Sequence, residues 1–299
     1  MKFTIVTPVF NGERFIRETI ESVISQAGSF EIEYFIIDGK SQDQTITICE
    51  TYKKRLEEKT YPINCNSVSL TCVSEPDQGM YDAINKGFQR GTGDIYAYLN
   101  ADDTYVQHTF EAVANIFSRN TEVQWLKGVT TVISETGTVL QRLPFQGYHQ
   151  DWVQKGIYGR EAYFIHQDSV FWRAGLWQKA GPIDHRYRFA GDYDLWRKFA
   201  AVTPLYSVDL DFSCFRKREG QLSQQMEKYR HEQDQIIPKT KTWEKQRITA
   251  FFWAKNHFPA WKWVFKRLFC LIFPRTTHHF MIMDAEGHPT PHLSSSFLP

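Results

Sequence analysis

Over its first third the chain switches back and forth between two hydrophobic periods, and this alternation limits the fold more than any other feature. "FTIVTPVF" (3–10), "IEYFIID" (32–38), "SVSLTCVSE" (67–75) and "GDIYAYLN" (93–100) have strand composition. Between them, "GERFIRETIESVISQA" (12–27), "SQDQTITICETYKKRLEEK" (41–59) and "GMYDAINKGFQR" (79–90) read as helices, the first placing Phe15, Ile16, Ile20, Val23 and Ile24 at helical spacing. Strands taking turns with helices predict an α/β fold with a mostly parallel, Rossmann-like central sheet flanked by helices. In such sheets ligands sit beyond the carboxyl ends of the strands.

The polar punctuation falls at those ends: Thr7 to Asn11, Asp38 to Ser41, Glu75 to Gly79, and Asn100 to Asp103. Four consecutive strand ends therefore predict one crevice. The last carries two adjacent carboxylates, Asp102 and Asp103, whose repulsion has two remedies. A hard divalent cation, Mn2+ or Mg2+, takes oxygen ligands and bridges to phosphates. Alternatively, "NADDTY" is a solvated loop in which Asp103 caps a helix starting near Tyr105. Lys86, in the same strand-helix-strand unit as Asp77, either faces a phosphate or is an ordinary helix lysine.

Residues 123–144 read as a hairpin around "ETGT". Residues 145–220 are aromatic-rich, with one clear helix, "DYDLWRKFAA". Asp192 stands just before "YDLWRKF", where an acid serves as a helix N-cap. Trp172, Trp177 and Trp196 stack on sugar faces or pack in the core. The expected organisation is 1–224 as catalytic domain (1–104 and 105–224 as halves), 225–283 as a helical, aromatic and basic extension, and 284–299 as a flexible tail.

A formal net charge of +1 supplies no field that would drive the whole protein onto nucleic acid. Five cysteines without C-x-x-C spacing read as reduced thiols of a cytoplasmic protein. "MKFTIVTPVFN" reads as a first strand rather than a signal peptide, and no window reaches the roughly 18 apolar residues that span a bilayer. Segment 251–275 combines Trp253, Trp261, Trp263, Phe265 and Phe269 with Lys255, Lys262, Lys266, Arg267 and Arg275. That composition suits peripheral contact with the inner face of a membrane, or helices packed on protein. His278 and His279 are weak candidate metal ligands.

"TIVTPVFNGERFIRETIESVISQ", "YFIIDGKSQDQT", "SEPDQGMYDAINKG" and "YLNADD", in that order, resemble the successive motifs of the family 2 glycosyltransferases, inverting enzymes of the GT-A fold. The resemblance covers roughly residues 1–220. It implies that Thr7, Pro8, Val9, Phe10 and Asp38 hold the donor nucleoside, and that Asp77 and Lys86 lie along the base and diphosphate. Asn100, Ala101, Asp102 and Asp103 correspond to the DXD-type motif, with Asp103 expected as metal ligand and Asp102 as donor contact. Asp192 matches the second acid of the family's catalytic pair, with Gly191 in place of the usual Glu, so the resemblance implies Asp192 as general base, with capping as the alternative and Asp194 as the fallback base. Gly39 and Lys40 likewise depart from the acid and glycine that many members carry after Asp38. His166 and Gln167 resemble acceptor-side residues, and Arg216 and Arg218 resemble phosphate partners in a loop that closes over the donor.

The implied reaction is inverting, metal-dependent transfer from a UDP- or GDP-sugar to a glycan or polyprenyl-linked acceptor in polysaccharide biosynthesis. Two rivals stand beside it: a nucleotidyltransferase that makes nucleotide-sugars, and a non-catalytic relative that binds sugar or nucleotide.

Overall fold

All seven alternating segments form the elements their periods predict. They are β1 (Lys2–Val9), α1 (Ile16–Ile24), β2 (Ala27–Asp38), α2 (Thr45–Glu57), β3 (Asn64–Ser74), α3 (Met80–Arg90) and β4 (Ile95–Tyr98). The computed structural model describes residues 1–160, 162–237, 243–257, 264, 268, 271–273, 276–284 and 287–295. The four strands are parallel in the order β3-β2-β1-β4. Val9 is level with Asp38, and Asp38 with Ser74, so the first three strands deliver their polar ends to one rim. Residues Phe3 to Val9 of β1 are all buried, as expected of a strand covered on both faces. From α1, Ile16, Ile20, Val23 and Ile24 enter the same core, each contributing about 1.5–3 kcal/mol of hydrophobic stabilisation.

The second half continues the sheet. Its elements are β5 (Thr104–Tyr105), α4 (Thr109–Arg119), β6 (Trp125–Ile133), β7 (Val139–Arg142), α5 (Gln150–Gln154), β8 (Val170–Arg173), α6 (Ala174–Ala180), α7 (Gly191–Val202) and β9 (Tyr206–Arg216). The hairpin around "ETGT" is the antiparallel pair β6 and β7, and the helix at "DYDLWRKFAA" is α7. Strand β8 runs antiparallel between β4 and β6, and β9 lies parallel to β6. The sheet is therefore parallel in its first half and mixed in its second. Trp125 stacks on Trp196 at 5.8 Å, and Trp172 stacks on Trp177 at 6.3 Å. With Trp172 and Trp196 buried, core packing is their role, and Trp177 is packed against that core.

Three local expectations change. Asp103 does not cap a helix near Tyr105: Thr104 and Tyr105 pair with Cys214 and Ser213 of β9, and the next helix begins at Thr109. Tyr105 is drawn into the core, where its ring lies 5.1 Å from that of Phe110.

The segment after residue 225 is not wholly helical. Helices α8 (Met226–Ile236) and α9 (Trp243–His257) are followed by β10 (His278–Met283), parallel to β9, and β11 (Pro289–Ser294), antiparallel to β10. Part of the expected tail is thus an edge strand. Phe280 and Met281 are buried in β10, and Pro289 and Pro291 suit an edge because they lack an N–H to donate.

In the aromatic and basic segment, Phe251 and Phe252 are buried in the catalytic core while Trp253 is exposed. Trp261, Lys262, Trp263, Phe265, Lys266, Arg267, Phe269 and Arg275 lie outside the described residues. No described helix is long and apolar enough to cross a membrane. Among the described residues, no group of three or more His, Cys, Asp or Glu side chains is arranged to hold a metal, His278 and His279 included.

Candidate active site

The rim of the parallel strands is tied together loop to loop. Gly39 N–H donates to the Val9 carbonyl (2.9 Å) and Glu75 N–H to the Asp38 carbonyl (3.0 Å). Asp38 is fully buried: its carboxylate accepts Ser41 N–H (3.1 and 3.0 Å) and the Ser74 hydroxyl (2.6 Å). Thr7, Pro8 and Val9 are buried too, and the Thr7 hydroxyl shares a hydrogen bond with Tyr34 inside the sheet (2.9 Å). Of the four residues from Thr7 to Phe10, Phe10 alone presents its side chain outward, at 65% exposure. At Gly39 the backbone lies against Asp77, since a Cβ there would lie 2.6 Å from Asp77 Oδ2 and move that side chain. The loops carrying Asp38 and Asp77 are thus in contact. Lys86 turns its ammonium to the Pro76 carbonyl (2.7 Å) and to Asp82 (3.1 Å), at the back of the Asp77 loop.

The aspartate pair divides its two side chains between crevice and core. Asp103 is fully enclosed, with Oδ1 accepting Arg216 N–H (2.9 Å) and Oδ2 accepting the Asn100 amide (3.2 Å). Burial, followed by the charges of Asp102 and Asp168, holds its carboxyl well above the usual carboxylate range. Asp102 lies nearer the surface, its Oδ2 taking Arg218 Nε (2.6 Å) and Gln221 Nε2 (3.1 Å). Among the described residues no hydrogen bond reaches Asp102 Oδ1, and the Asn100 Oδ1 is buried without a partner. Two oxygens without donors, beside an alanine (Ala101), are the kind of hard ligands that Mn2+ or Mg2+ takes together with substrate phosphates. The loop residues therefore fit such an ion, with Asp102, at 9% exposure, less enclosed than Asp103.

Arg216 differs from its sequence expectation. It is 1% exposed, and its guanidinium reaches the Asp102 carbonyl (2.9 Å), the Glu135 carbonyl (2.9 Å) and Glu18 (2.5 Å), with Phe15 beneath it (4.8 Å). These partners make it a clamp that closes the aspartate loop onto α1 and the β6–β7 hairpin, leaving Arg218 as the more accessible cation.

A third acid behind the loop escaped sequence reading. Asp168 is buried, its Oδ2 accepting the hydroxyls of Thr130 (2.8 Å) and Ser213, while its Oδ1 is buried without a partner. It follows His166 and Gln167, and its motif "HQD" carried no signal of burial. His166 is held below its ordinary pKa by burial, opposed by the Asp168 charge. Burial also lowers the Lys127 ammonium to about 8.

Asp192 opens the second wall. It lies in the first turn of α7, where the helix dipole favours an anion. Its Oδ1 accepts Tyr193 N–H (2.8 Å), the Tyr81 hydroxyl from α3 (3.2 Å) and the Tyr229 hydroxyl from α8 (3.2 Å). Among the described residues Oδ2 accepts none. Burial raises the carboxyl to about 6, against the lowering effect of those donors. Gly191 is required, since a Cβ there would lie 2.7 Å from the Tyr81 ring. A tyrosine thus occupies the space that a side chain at position 191 would need. Asp194 is tied to Arg197 (3.1 Å) and Lys198 (2.7 Å), which leaves Asp192 the acid with an open oxygen. Tyr98, at the end of β4, is held well above its usual pKa by burial and then by Asp192, with Asp168 contributing, so both acids flank the strand that leads into the aspartate loop.

The family model described as glycosyl transferase family 2 matches residues 4–170. The chain is 25% identical over 205 residues to an uncharacterised glycosyltransferase of Rickettsia prowazekii, covering 68% of this chain and 60% of that relative, so it spans about three fifths of the relative's length. Its fold is similar to S. aureus TarS residues 1–349, solved with UDP-GlcNAc (TM-score 0.57, 18% identity, covering 87% of this chain and 73% of that one). It is also similar to the mannosyltransferase PcManGT of Pyrobaculum calidifontis, solved with GDP-Man and Mn2+ (TM-score 0.57, 15% identity, covering 85% and 69%).

Proposed function

This chain belongs to glycosyl transferase family 2 and is a glycosyltransferase of GT-A type fold, and on that premise we propose that it transfers a sugar, with inversion, from a nucleoside diphosphate-sugar to a glycan or lipid-linked glycan hydroxyl. The observation that carries this reading is the half-held carboxylate of Asp192. One oxygen is saturated with donors, the other is open, and a pKa near 6 leaves it ionised at neutral pH yet basic enough to take a proton.

Phe10, exposed at the rim, flanks the nucleoside, while the Asp38 and Asp77 loops shape the floor beneath it. Asp102 Oδ1 and Asn100 Oδ1 would hold the divalent ion, and Arg218 would neutralise the diphosphate. When bound, the ion supplies Lewis-acid stabilisation of the charge on the departing diphosphate. Asp192 Oδ2 removes the acceptor hydroxyl proton as that oxygen bonds to the anomeric carbon from the opposite face. The bond to the diphosphate breaks with its electron pair leaving on the diphosphate oxygen. The UDP-GlcNAc and GDP-Man in the two similar structures support a UDP- or GDP-sugar as donor.

The nucleotidyltransferase reading needs free backbone amides after β1 to cradle phosphates. Here Asn11, Gly12 and Glu13 N–H are taken by Ser41 (2.7 Å), Thr45 (2.8 Å) and Asp43 (3.0 Å), which disfavours it. A thermal-shift screen of UDP and GDP with and without Mn2+ tests the donor site. One nucleotide raises Tm by a few degrees in the presence of Mn2+, and Asp102→Asn loses that rise. If neither nucleotide stabilises the protein with metal present, the donor site is misassigned.

A further inference from the structure

Asp192 is gripped by two elements far from it in sequence. Tyr81 on α3 and Tyr229 on α8 each donate a hydroxyl to the same carboxylate oxygen, at 3.2 Å. Neither tyrosine is free to swing. Tyr81 is buried, and its one hydroxyl proton is shared between Asp192 and the Phe189 carbonyl, which lies 3.0 Å away. Helix α8 is fastened to the turn before Asp192 by Glu232, whose carboxylate accepts the N–H groups of Arg188 (2.9 Å), Phe189 (2.7 Å) and Ala190 (2.7 Å). Gln233, one residue on and fully buried, donates to the Gly159 carbonyl (3.3 Å).

We propose that Tyr81 and Tyr229 are positioning residues for Asp192: by binding Oδ1 they leave Oδ2 as the one oxygen able to take the acceptor's proton. This rests on the reading of Asp192 as the base. It makes α8, which lies outside the span matched by the family model, a working part of the site.

Among the described residues, the titratable groups around Asp192 are Tyr81 from α3, Tyr98 from β4, Tyr229 from α8 and Tyr193 of its own helix, while Glu232 of α8 holds the turn before it. Burial first, and the Asp192 charge second, hold the hydroxyls of Tyr81, Tyr98 and Tyr229 well above their ordinary pKa, so all three stay protonated. The Tyr193 hydroxyl is spent on the Gly156 carbonyl (2.6 Å), and Glu232 on the backbone turn. Tyr81 and Tyr229 are therefore the side chains that donate hydrogen bonds to Asp192. A hydrogen bond to the charged form lowers an acid's pKa, so their removal must raise it.

The test uses the full chain with Tyr229→Phe, Tyr81→Phe and the double variant, in which the rings and their packing are kept. The Asp192 carboxyl is titrated by carbon-detected NMR of labelled protein, its signal assigned by its loss in Asp192→Asn. Nucleotide release from UDP-GlcNAc and GDP-mannose with Mn2+ is followed against pH in parallel. Tyr229→Phe moves the titration midpoint upward by about half a unit, Tyr81→Phe, whose proton is shared with a carbonyl, by less, and the double variant by more than either. The acidic limb of kcat moves the same way while donor KM holds.

A purely structural role would lower Tm and total activity without moving the midpoint. An unchanged midpoint in the double variant overturns the proposal. If Asp192→Asn is inactive in that case, the base assignment stands alone; if Asp192→Asn turns over donor like wild type, the base assignment falls and this proposal with it. Should Tyr81→Phe fail to fold, Tyr229→Phe decides by the same criterion.

Discussion

The strand-end rim and the wall that holds Asp192 are built in opposite ways. The rim is made of loops that each end one strand and begin the next helix, and its bonds run between neighbouring loops: Gly39 to Val9, Glu75 to Asp38, Asn11 to Ser41. Asp192 stands in a setting drawn from three separated helices, with Tyr81 lying 111 residues before it and Tyr229 37 residues after it. A repeated strand-helix unit brings its loop ends together through local geometry and sheet register. A lone acid acquires its environment only when distant helices pack around it. The exception to the rim's local construction is the end of β9 and the loop after it, where Arg216 reaches back 114 residues to the Asp102 carbonyl and Arg218 and Gln221 reach Asp102 Oδ2.

The largest expected effect separates the two regions outright. Asp192→Asn lowers kcat by about 10^3-fold while leaving the Mn2+-dependent thermal shift by nucleoside diphosphate intact. Loss of nucleotide binding in that variant would mean that the two walls are one unit.

Arg216→Met tests the exception. Stripping the clamp from two carbonyls and Glu18 costs about 2–4 kcal/mol in urea unfolding and also removes the nucleotide-induced shift. A loss under about 1 kcal/mol would show that the rim closes without it.

The two glycines sharpen the contrast further. Gly39→Ala pushes Asp77 away and weakens nucleotide binding about tenfold with kcat preserved. Gly191→Ala pushes Tyr81 away and lowers kcat about tenfold with nucleotide binding preserved. Steady-state kinetics that show both variants failing in the same parameter would erase the distinction.

The smallest effect is in stability against pH. The folded pKa of Asp192, about 6, lies above that of an unfolded aspartate, so its ionisation destabilises the fold. Its favourable contribution is complete below about pH 4 and is lost as pH rises through 6. Asp192→Asn therefore gains on wild type between those values and stays a few degrees higher in Tm above them. A wild type that gains on the variant as pH rises would refute the raised pKa.

How much of this was legible before folding follows the same division. The seven elements of the first third, the hairpin at "ETGT", the convergence of Asp38, Asp77 and Asp102 on one rim, and α7 with Asp192 at its start all follow from periods and punctuation that the chain carries locally. β10 and β11 were not legible, because a short strand joining a sheet edge late in the chain has no alternating partner to announce it. Arg216 looked like a phosphate ligand because a basic turn reads the same whether its guanidinium meets solvent or three protein oxygens. Asp168 passed unseen since nothing beside it marks a buried acid.

The amino-acid order thus settled the fold class, the rim and the acids at its strand ends, because period and turn chemistry are properties of neighbouring residues. Packing settled which oxygen of Asp192 stays open, why Asp103 is more enclosed than Asp102, and what Arg216 holds. Burial and hydrogen-bond saturation belong to whatever surrounds a side chain, and for these residues the surroundings come from α1, α3, α8 and β9, far along the chain.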